Sequence, residues 1–134
     1  MNKYGAAGLL ITVGRKIVLL GRRSKICANL SGMWSMPCGV IEGAENPNDT
    51  AIREFFEETG ILFEGEISEL TTFPCFNSEG LFHVFHGEAN NLLFPSEKAI
   101  DAIEHDEWGY FRVGKMYLPS PMTKDTENSI LMLK

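Results

Sequence analysis

The segment GVIEGAENPNDTAIREFFEETGI, residues 39–61, constrains the fold more than any other stretch of the chain. Asn46 is a good helix N-cap, Pro47 suits the first helical position, and Gly60 can adopt the left-handed conformation that ends a helix. The sequence therefore predicts a helix over residues 47–59. Its side chains divide into an apolar arc and an acidic edge, and both limit what can lie beside the helix.

The apolar arc predicts that this helix packs against a sheet. Its members are Ala51, Ile52, Phe55 and Phe56. On the acidic edge, Glu54, Glu57 and Glu58 project together, because residues three and four positions apart share a helix face. Like charges at these spacings destabilise an exposed helix by roughly 0.2–0.5 kcal/mol per pair. They repel more strongly near an apolar wall, where screening is poor.

Two interpretations of the acidic edge are open on these residues alone. The glutamates can be solvated surface residues, with Arg53 and Glu57 forming an ion pair across one helical turn. Alternatively, a divalent cation relieves the repulsion. Carboxylate oxygens suit Mg²⁺ or Mn²⁺ rather than zinc, and Mg²⁺ keeps positions for substrate phosphates. A calcium-binding structural protein is disfavoured, because its acidic residues would alternate along a loop.

The rest of the chain alternates strand-like runs with loops. We expect strands over residues 4–13, 16–22, 67–76, 80–89 and 107–113. We expect a loop, a short helix and a closing helix over 24–33, around 96–103 and within 123–134. In the closing helix, Ile130, Leu131 and Leu133 would form one apolar edge. This order predicts an α+β fold, or an α/β mixed sheet with helices on its faces, in one domain over residues 1–134.

The composition excludes several classes of protein. Hydrophobic residues make up 44% of the 134 residues, which is enough for one globular core, and no segment is long enough to span a membrane. The formal net charge of −6 disfavours duplex nucleic acid as a partner. The cysteines Cys27, Cys38 and Cys75 form neither a disulfide framework nor a zinc pattern, so the cytoplasm is the expected location.

The spacing of the acidic segment matches a known motif. Gly39 stands six residues before Glu45, Glu45 stands eight before Arg53, and the run continues as REFFEETGI. This pattern resembles the Nudix box, G-x5-E-x7-R-E-U-x-E-E-x-G-U with U apolar, at every fixed position. The flanking stretches VLLGRRS, GMWSMPCG and EHDEWGYF also resemble the family. One departure is Cys38, where the family often has a second glycine after the proline.

The resemblance implies a fold, a reaction and a set of metal ligands. The implied fold is an α/β/α sandwich with a loop–helix–loop motif, and the implied reaction is hydrolysis of a nucleoside diphosphate linked to another group. Mg²⁺ or Mn²⁺ would be bound by Glu54, Glu57 and Glu58, with the Gly39 carbonyl as a further ligand. Arg53 would orient Glu57 or Glu58.

The resemblance leaves the general base and the phosphate contact open. Glu58 and Glu104 are the candidates for the carboxylate that takes the proton of the attacking water. Other acidic residues compete with Glu104, namely Glu79, Asp106 and Glu107. Arg22 or Arg23, at the end of the second strand, would contact a phosphate. We expect His105 to be a loop residue rather than a catalyst, and Glu45 to tie the loop to the helix.

The expected substrate is a small nucleotide. Candidates are nucleoside triphosphates, including oxidised ones, ADP-ribose, nucleotide sugars and dinucleoside polyphosphates. The chain length favours a triphosphate or a small nucleotide sugar. Two alternatives remain: a non-catalytic nucleotide-sensing module on the same fold, and a pyrophosphohydrolase of RNA 5′ ends, which the acidic charge disfavours. A homodimer is also possible.

Overall fold

The structure is a computed structural model that describes residues 5–27, 30–75 and 79–133. The strands are β1 Ala6–Val13, β2 Ile17–Arg23, β3 Trp34–Ser35, β4 Cys38–Val40, β5 Ile67–Pro74, β6 Leu81–Ala89 and β7 His105–Arg112. The α-helices are α1 Pro47–Thr59 and α2 Lys124–Ile130. Within these described ranges, no helix is long and apolar enough to cross a membrane.

The strands form one mixed sheet. Its main order is β3-β2-β1-β6-β5, with β4 also pairing with β1 and β7 also pairing with β2. β1 and β6 are parallel, from Ala6 opposite Phe82 to Val13 opposite Ala89, and the other pairs are antiparallel. A parallel pair needs a crossover connection, and α1 lies within the crossover from β1 to β6.

The central strand is buried on both faces, which explains its continuous run of apolar residues. Leu9 and Ile11 belong to one core together with Phe55 of α1. Leu10, which points to the other face, belongs to a second core together with Ile130 of α2. A helix therefore covers each face of the sheet, and the predicted α/β sandwich is confirmed.

The helix predicted over residues 47–59 has those bounds in the structure. The Asn46 side chain accepts a hydrogen bond from the Asp49 N–H at 3.2 Å, as an N-cap does. Gly60 has φ 78° and its N–H bonds to the Phe56 carbonyl oxygen, which closes the last turn. Both ends are thus set by the residues that the sequence marks.

Several predicted boundaries were wrong. The last strand starts at His105 rather than residue 107, and the expected short helix around 96–103 is reduced to a 3₁₀ turn, Ala102–Glu104. α2 ends at Ile130, which leaves Leu131 46% exposed. The short strands β3 and β4 were not predicted. The predicted strand ends at residues 4 and 76 lie outside the described residues.

The apolar arc of α1 is narrower than the sequence predicts. Phe55 is fully buried, whereas Phe56 is 41% exposed. We expect Phe55→Ala to lower the free energy of unfolding by about 3–5 kcal/mol, because it removes a large side chain from a closed core. Phe56→Ala removes the same atoms from the surface and should cost far less. Urea unfolding of both variants measures the difference, and similar losses would show that the arc is as wide as predicted.

Candidate active site

Gly39 lies in β4, directly against the acidic edge of α1. It pairs with Ala7 of β1, so its position is fixed by the sheet. A Cβ atom added at Gly39 would overlap the carboxylate of Glu54. Only glycine therefore lets the β4 backbone approach this carboxylate so closely.

Arg53 joins the loop before α1 to the helix. Its Nε and Nη2 donate to the two carboxylate oxygens of Glu45 at 2.9 and 3.0 Å. Nη2 also donates to the Val40 carbonyl oxygen at 3.0 Å. This contact with Arg53, supported by the Thr50 hydroxyl, lowers the pKa of Glu45 to about 2. Glu45 is thus a structural tie between loop and helix.

The remaining nitrogen of Arg53 faces the acidic edge. Nη1 donates to Oε1 of Glu57 at 3.1 Å and lies 3.6 Å from Oε1 of Glu54. The predicted contact with Glu57 is therefore present. The predicted alternative, Glu58, lies elsewhere in the structure.

Glu58 projects into the interior instead of toward Arg53. Its side chain is 2% exposed. The Cys38 N–H donates a hydrogen bond to it, and its Oε1 lies 3.5 Å from Nδ1 of His105. Its Oε2 has no hydrogen-bond partner among the described residues. Burial, reinforced by the charges of Glu54 and Glu104, raises the pKa of Glu58 well above its usual value.

Glu54 and Glu104 share this unfavourable electrostatic setting. Burial raises the pKa of Glu54 to about 7; Arg53 opposes the shift, while Glu57, Glu104 and Asp101 add to it. Burial and the Asp101 charge likewise raise the pKa of Glu104, against the effect of a nearby arginine. Glu54, Glu58 and Glu104 are therefore desolvated, mutually repelling carboxyl groups, which ordinary surface glutamates are not.

Glu104 reaches the acidic edge through the 3₁₀ turn before β7. The N–H of Ser24 donates to its carbonyl oxygen at 2.9 Å, and Sγ of Cys27 lies 3.3 Å from the same oxygen. The hydroxyl of Ser24 also bonds to the Ile103 carbonyl at 2.7 Å. Three contacts therefore fix the backbone that carries the Glu104 carboxyl group.

The acidic residues that compete with Glu104 lie elsewhere. Asp106 and Glu107 form ion pairs with Arg22, at 2.8 and 3.2 Å. Glu79 is exposed. Among the predicted base candidates on this loop, only Glu104 is within electrostatic range of Glu54 and Glu58.

The two neighbouring arginines at the end of β2 point to different surroundings. Arg22 carries those two ion pairs and lies over the Trp34 ring at 5.9 Å. Arg23 instead acts electrostatically on Glu58, Glu104 and Cys38. Successive side chains of a strand point to opposite faces, which separates the two arginines. The register of β2 with β7 also shifts between them.

Sequence reasoning missed two members of this group. His105 is the first residue of β7 and its side chain is 1% exposed, so it is not the loop residue that was expected. Asp101 raises the pKa of Glu54 and Glu104 by its charge, and its N–H bonds to the Glu57 carbonyl oxygen at 2.7 Å. No spacing in the sequence predicts that either residue lies at this site, because contacts between segments far apart in the chain bring both of them there.

The residues present fit a divalent cation. In the described part of the chain, no three His, Cys, Asp or Glu side chains are gathered into a formed metal site. However, Oε2 of Glu58 is buried without a partner, and the Glu54 carboxylate lies against a glycine that leaves it room. Burial and repulsion disfavour the ionised form of both carboxyl groups, and a bound cation would relieve this cost. Their oxygen donors are those that Mg²⁺ and Mn²⁺ prefer.

Comparison with known proteins identifies the family. The family model described as NUDIX domain matches residues 2–132. The chain belongs to the Nudix family. A solved structure of a MutT NUDIX hydrolase from Burkholderia pseudomallei superposes with a TM-score of 0.82 and covers 100% of both chains, at 22% identity. At 22% identity, this similarity is evidence for a shared fold only.

Curated relatives of this Nudix chain carry names of pyrophosphate-cleaving enzymes. An RNA pyrophosphohydrolase from Bartonella bacilliformis is 26% identical over 77% of this chain and 69% of its own length. A putative 8-oxo-dGTP diphosphatase 3 from Mycobacterium tuberculosis is 39% identical over 47% of this chain and 30% of its own length. The chain thus spans less than a third of the second relative. Nudix hydrolases in general act on pyrophosphate bonds and use divalent metal ions.

The raised pKa of Glu54 predicts a pH-dependent cost of folding when divalent ions are absent. Its pKa is about 7 in the folded chain, against the usual value of 4.5 for a glutamate. The folded state therefore binds this proton more tightly than the unfolded state does. The contribution of Glu54 to the free energy of unfolding is fully present below pH 4.5 and is lost as the pH rises through 7. Glu54→Gln removes this dependence. We expect the variant to gain stability relative to the wild type between pH 4.5 and 7.

Urea unfolding in the presence of a chelator, repeated across this pH range, measures that difference. Comparing the two proteins cancels the groups on which Glu54 does not act, including His105, whose pKa of about 4 acts in the opposite direction. Glu42→Gln is the matched control, because its side chain is 72% exposed on the same segment. A constant difference between Glu54→Gln and the wild type would contradict the prediction.

Proposed function

We propose that this chain hydrolyses the pyrophosphate linkage of a small nucleoside diphosphate derivative in the presence of Mg²⁺ or Mn²⁺. The observation that carries the proposal is the buried, repelling pair Glu54 and Glu58 beside Gly39, with Glu57 held by Arg53 on the same helix. Such a group is costly to fold and fits a cation-binding function.

Each residue of the acidic edge has a role in this proposal. Glu54, Glu57 and Glu58 would hold the ions, together with the carbonyl oxygen of Gly39. When bound, the ions neutralise the pyrophosphate and lower the pKa of a water molecule. Arg53 keeps Glu57 in place through its Nη1, while its other nitrogens remain committed to the loop.

Glu104 is our choice for the carboxylate that accepts the proton of the attacking water. Glu58 is 2% exposed and already bonded to the Cys38 N–H, so it has little access to water. Glu104 is partly exposed, and burial raises its pKa toward neutrality, where a general base works best. Its fixed backbone keeps the carboxyl group beside the acidic edge.

A small cleft of about 90 Å³ next to the acidic edge would receive part of the rest of the substrate. It begins at Arg23 and Cys38, which adjoin the carboxylates, and continues to Phe82, Ser35 and Asp125 on the α2 side of the sheet. The Ser35 hydroxyl is buried there without a hydrogen-bond partner, and burial raises the pKa of Asp125. The Phe82 ring and the unpaired Ser35 hydroxyl suit contact with part of a nucleoside.

The names of similar proteins and the net charge of the chain indicate two candidate substrate classes. We favour free nucleotides, either nucleoside triphosphates or small nucleotide sugars, because the net charge of −6 repels a long nucleic-acid backbone. Hydrolysis at an RNA 5′ end is the second candidate, because the relative named RNA pyrophosphohydrolase covers 77% of this chain. A purely sensing role requires that no member of a nucleotide panel is cleaved.

A product analysis tests the proposal. The purified chain is incubated with a panel of triphosphates, nucleotide sugars, dinucleoside polyphosphates and a short 5′-triphosphate RNA, with Mg²⁺, Mn²⁺ or chelator. Release of pyrophosphate indicates a triphosphate substrate, and a mononucleotide with a phosphorylated sugar indicates the nucleotide-sugar class. Binding of a panel member without any cleavage in either metal would refute the hydrolase and support the sensing module.

Glu57→Gln tests the metal-binding role of the acidic edge. We expect kcat to fall by at least about 100-fold, because even groups that only support metal ligands contribute 10- to 100-fold. The helix should survive, since glutamine keeps the shape of the side chain. Glu42→Gln is the control, because Glu42 lies 3.7 Å from the same arginine but is 72% exposed. Circular dichroism checks folding, and wild-type turnover in Glu57→Gln would remove this residue from the proposed metal shell.

Arg23→Ala tests the phosphate contact, with Arg22→Ala as its neighbour control. Loss of a charge-assisted hydrogen bond should raise KM by about 10- to 100-fold in Arg23→Ala. Arg22→Ala should leave KM unchanged, because its partners Asp106 and Glu107 lie away from the carboxylates. Steady-state kinetics on the best panel substrate measures both. A KM increase confined to Arg22→Ala would reverse the assignment.

A further inference from the structure

His105 is a buried polar residue that the proposed chemistry does not use. It begins β7, and its side chain is 1% exposed. Neither of its ring nitrogens has a hydrogen-bond partner among the described residues. Its Nδ1 lies 3.5 Å from Oε1 of Glu58, which is slightly longer than a formed hydrogen bond. An unpaired buried imidazole is costly, so this near contact needs an explanation.

The imidazole ring is held in one place by its neighbours. A Cβ atom added at Gly21, on the adjacent strand β2, would lie 2.5 Å from Cδ2 of His105. On another side, the Trp108 ring lies 4.6 Å away, centroid to centroid, at an interplanar angle of 38°. The ring therefore occupies a space that a glycine leaves open and a tryptophan borders. Its orientation toward Glu58 follows from this packing.

The electrostatic setting leaves the ring one proton to donate. Both ring nitrogens lie in a dry interior, where a charged ring without a formed hydrogen bond is unfavourable. A neutral imidazole has one N–H and one bare nitrogen. Because Nδ1 is the nitrogen near Glu58, a proton on Nδ1 would give the carboxylate a second donor besides the Cys38 N–H.

The two oxygens of Glu58 face different groups. Oε1 is the oxygen near His105, whereas Oε2 is buried without a partner. We propose that His105 is a positioning residue, whose Nδ1–H donates to Oε1 of Glu58 and so keeps Oε2 available for the divalent cation. The inference rests on the proposed function, in which Glu58 is a metal ligand. Hydrogen bonds of this kind fix the orientation of metal-binding carboxylates.

The competing explanation is that His105 only fills space. A space-filling role would be served by any apolar side chain of similar size, whereas a positioning role needs an N–H directed at Oε1. Leucine at position 105 fills the space without a donor. Asparagine is smaller, but its amide nitrogen can stand close to where Nδ1 stands now. The two substitutions therefore separate packing from hydrogen bonding.

Manganese binding measures the effect independently of turnover. Free Mn²⁺ is followed by electron paramagnetic resonance during titration of the full chain without substrate. We expect His105→Leu to weaken Mn²⁺ binding by about 10- to 100-fold, as loss of such supporting bonds does, and His105→Asn to restore much of it. His86→Leu is the matched control, because His86 bonds to Thr12 at 2.8 Å on the α2 side of the sheet. It should bind Mn²⁺ as the wild type does.

The same titration of Glu58→Gln separates the two proposals. If the wild type binds Mn²⁺ no better than Glu58→Gln, the proposed metal shell fails, and the role of His105 fails with it. If Glu58→Gln binds weakly but His105→Leu binds as the wild type does, only the inference about His105 is overturned. Equal losses in His105→Leu and His105→Asn would indicate packing and would also overturn it.

If the variants do not fold, a measurement on the wild-type protein tests whether His105 Nδ1 carries the proton. The chain has three histidines, so nitrogen-15 labelling of histidine gives a spectrum that is simple to assign. With Mg²⁺ bound, we expect His105 to be neutral with its proton on Nδ1. A proton on Nε2 instead would leave no imidazole N–H facing Glu58 and would overturn the proposal.

Discussion

The bidentate ion pair between Arg53 and Glu45 is the contact on which the site depends. It joins the loop before α1 to the second turn of the helix, and the same guanidinium contacts Glu57. The same guanidinium donates to the Val40 carbonyl oxygen at the end of β4, so Arg53 also ties the helix to the strand that holds Gly39 against the Glu54 carboxylate. Without this ion pair, the acidic edge would not be held in one fixed position relative to Gly39.

This arrangement concentrates charge where the fold disfavours it. Glu54 and Glu58 lose solvation on folding, which raises their pKa values and destabilises the ion-free protein. The neighbouring apolar arc of α1 compensates, because Phe55 and Ala51 are fully buried against the sheet. The helix thus carries a stabilising apolar arc beside a destabilising acidic edge. Such a combination is typical of sites where a protein gives up stability for function.

The features that the sequence predicted are those set by neighbours in the chain. The ends of α1 follow from Asn46 and Gly60, and the joint projection of the three glutamates follows from helical spacing. The position of His105 could not be predicted in this way. It depends on the pairing of β7 with β2, on the bulge after Arg22, and on the space beside Gly21. Contacts between segments far apart in the chain leave no periodic signal.

Cys38, the departure from the family pattern, shows how the fold accommodates a side chain where glycine is common. Cys38 pairs with Gly8 of β1, and a Cβ added at Gly8 would lie 2.9 Å from the Cys38 Cβ. The glycine on the neighbouring strand therefore provides the space that Cys38 occupies. Its backbone N–H still donates to Glu58, and burial raises the pKa of its thiol to about 12, so the sulfur adds no charge beside the carboxylates. The substitution thus preserves the backbone contact on which Glu58 depends.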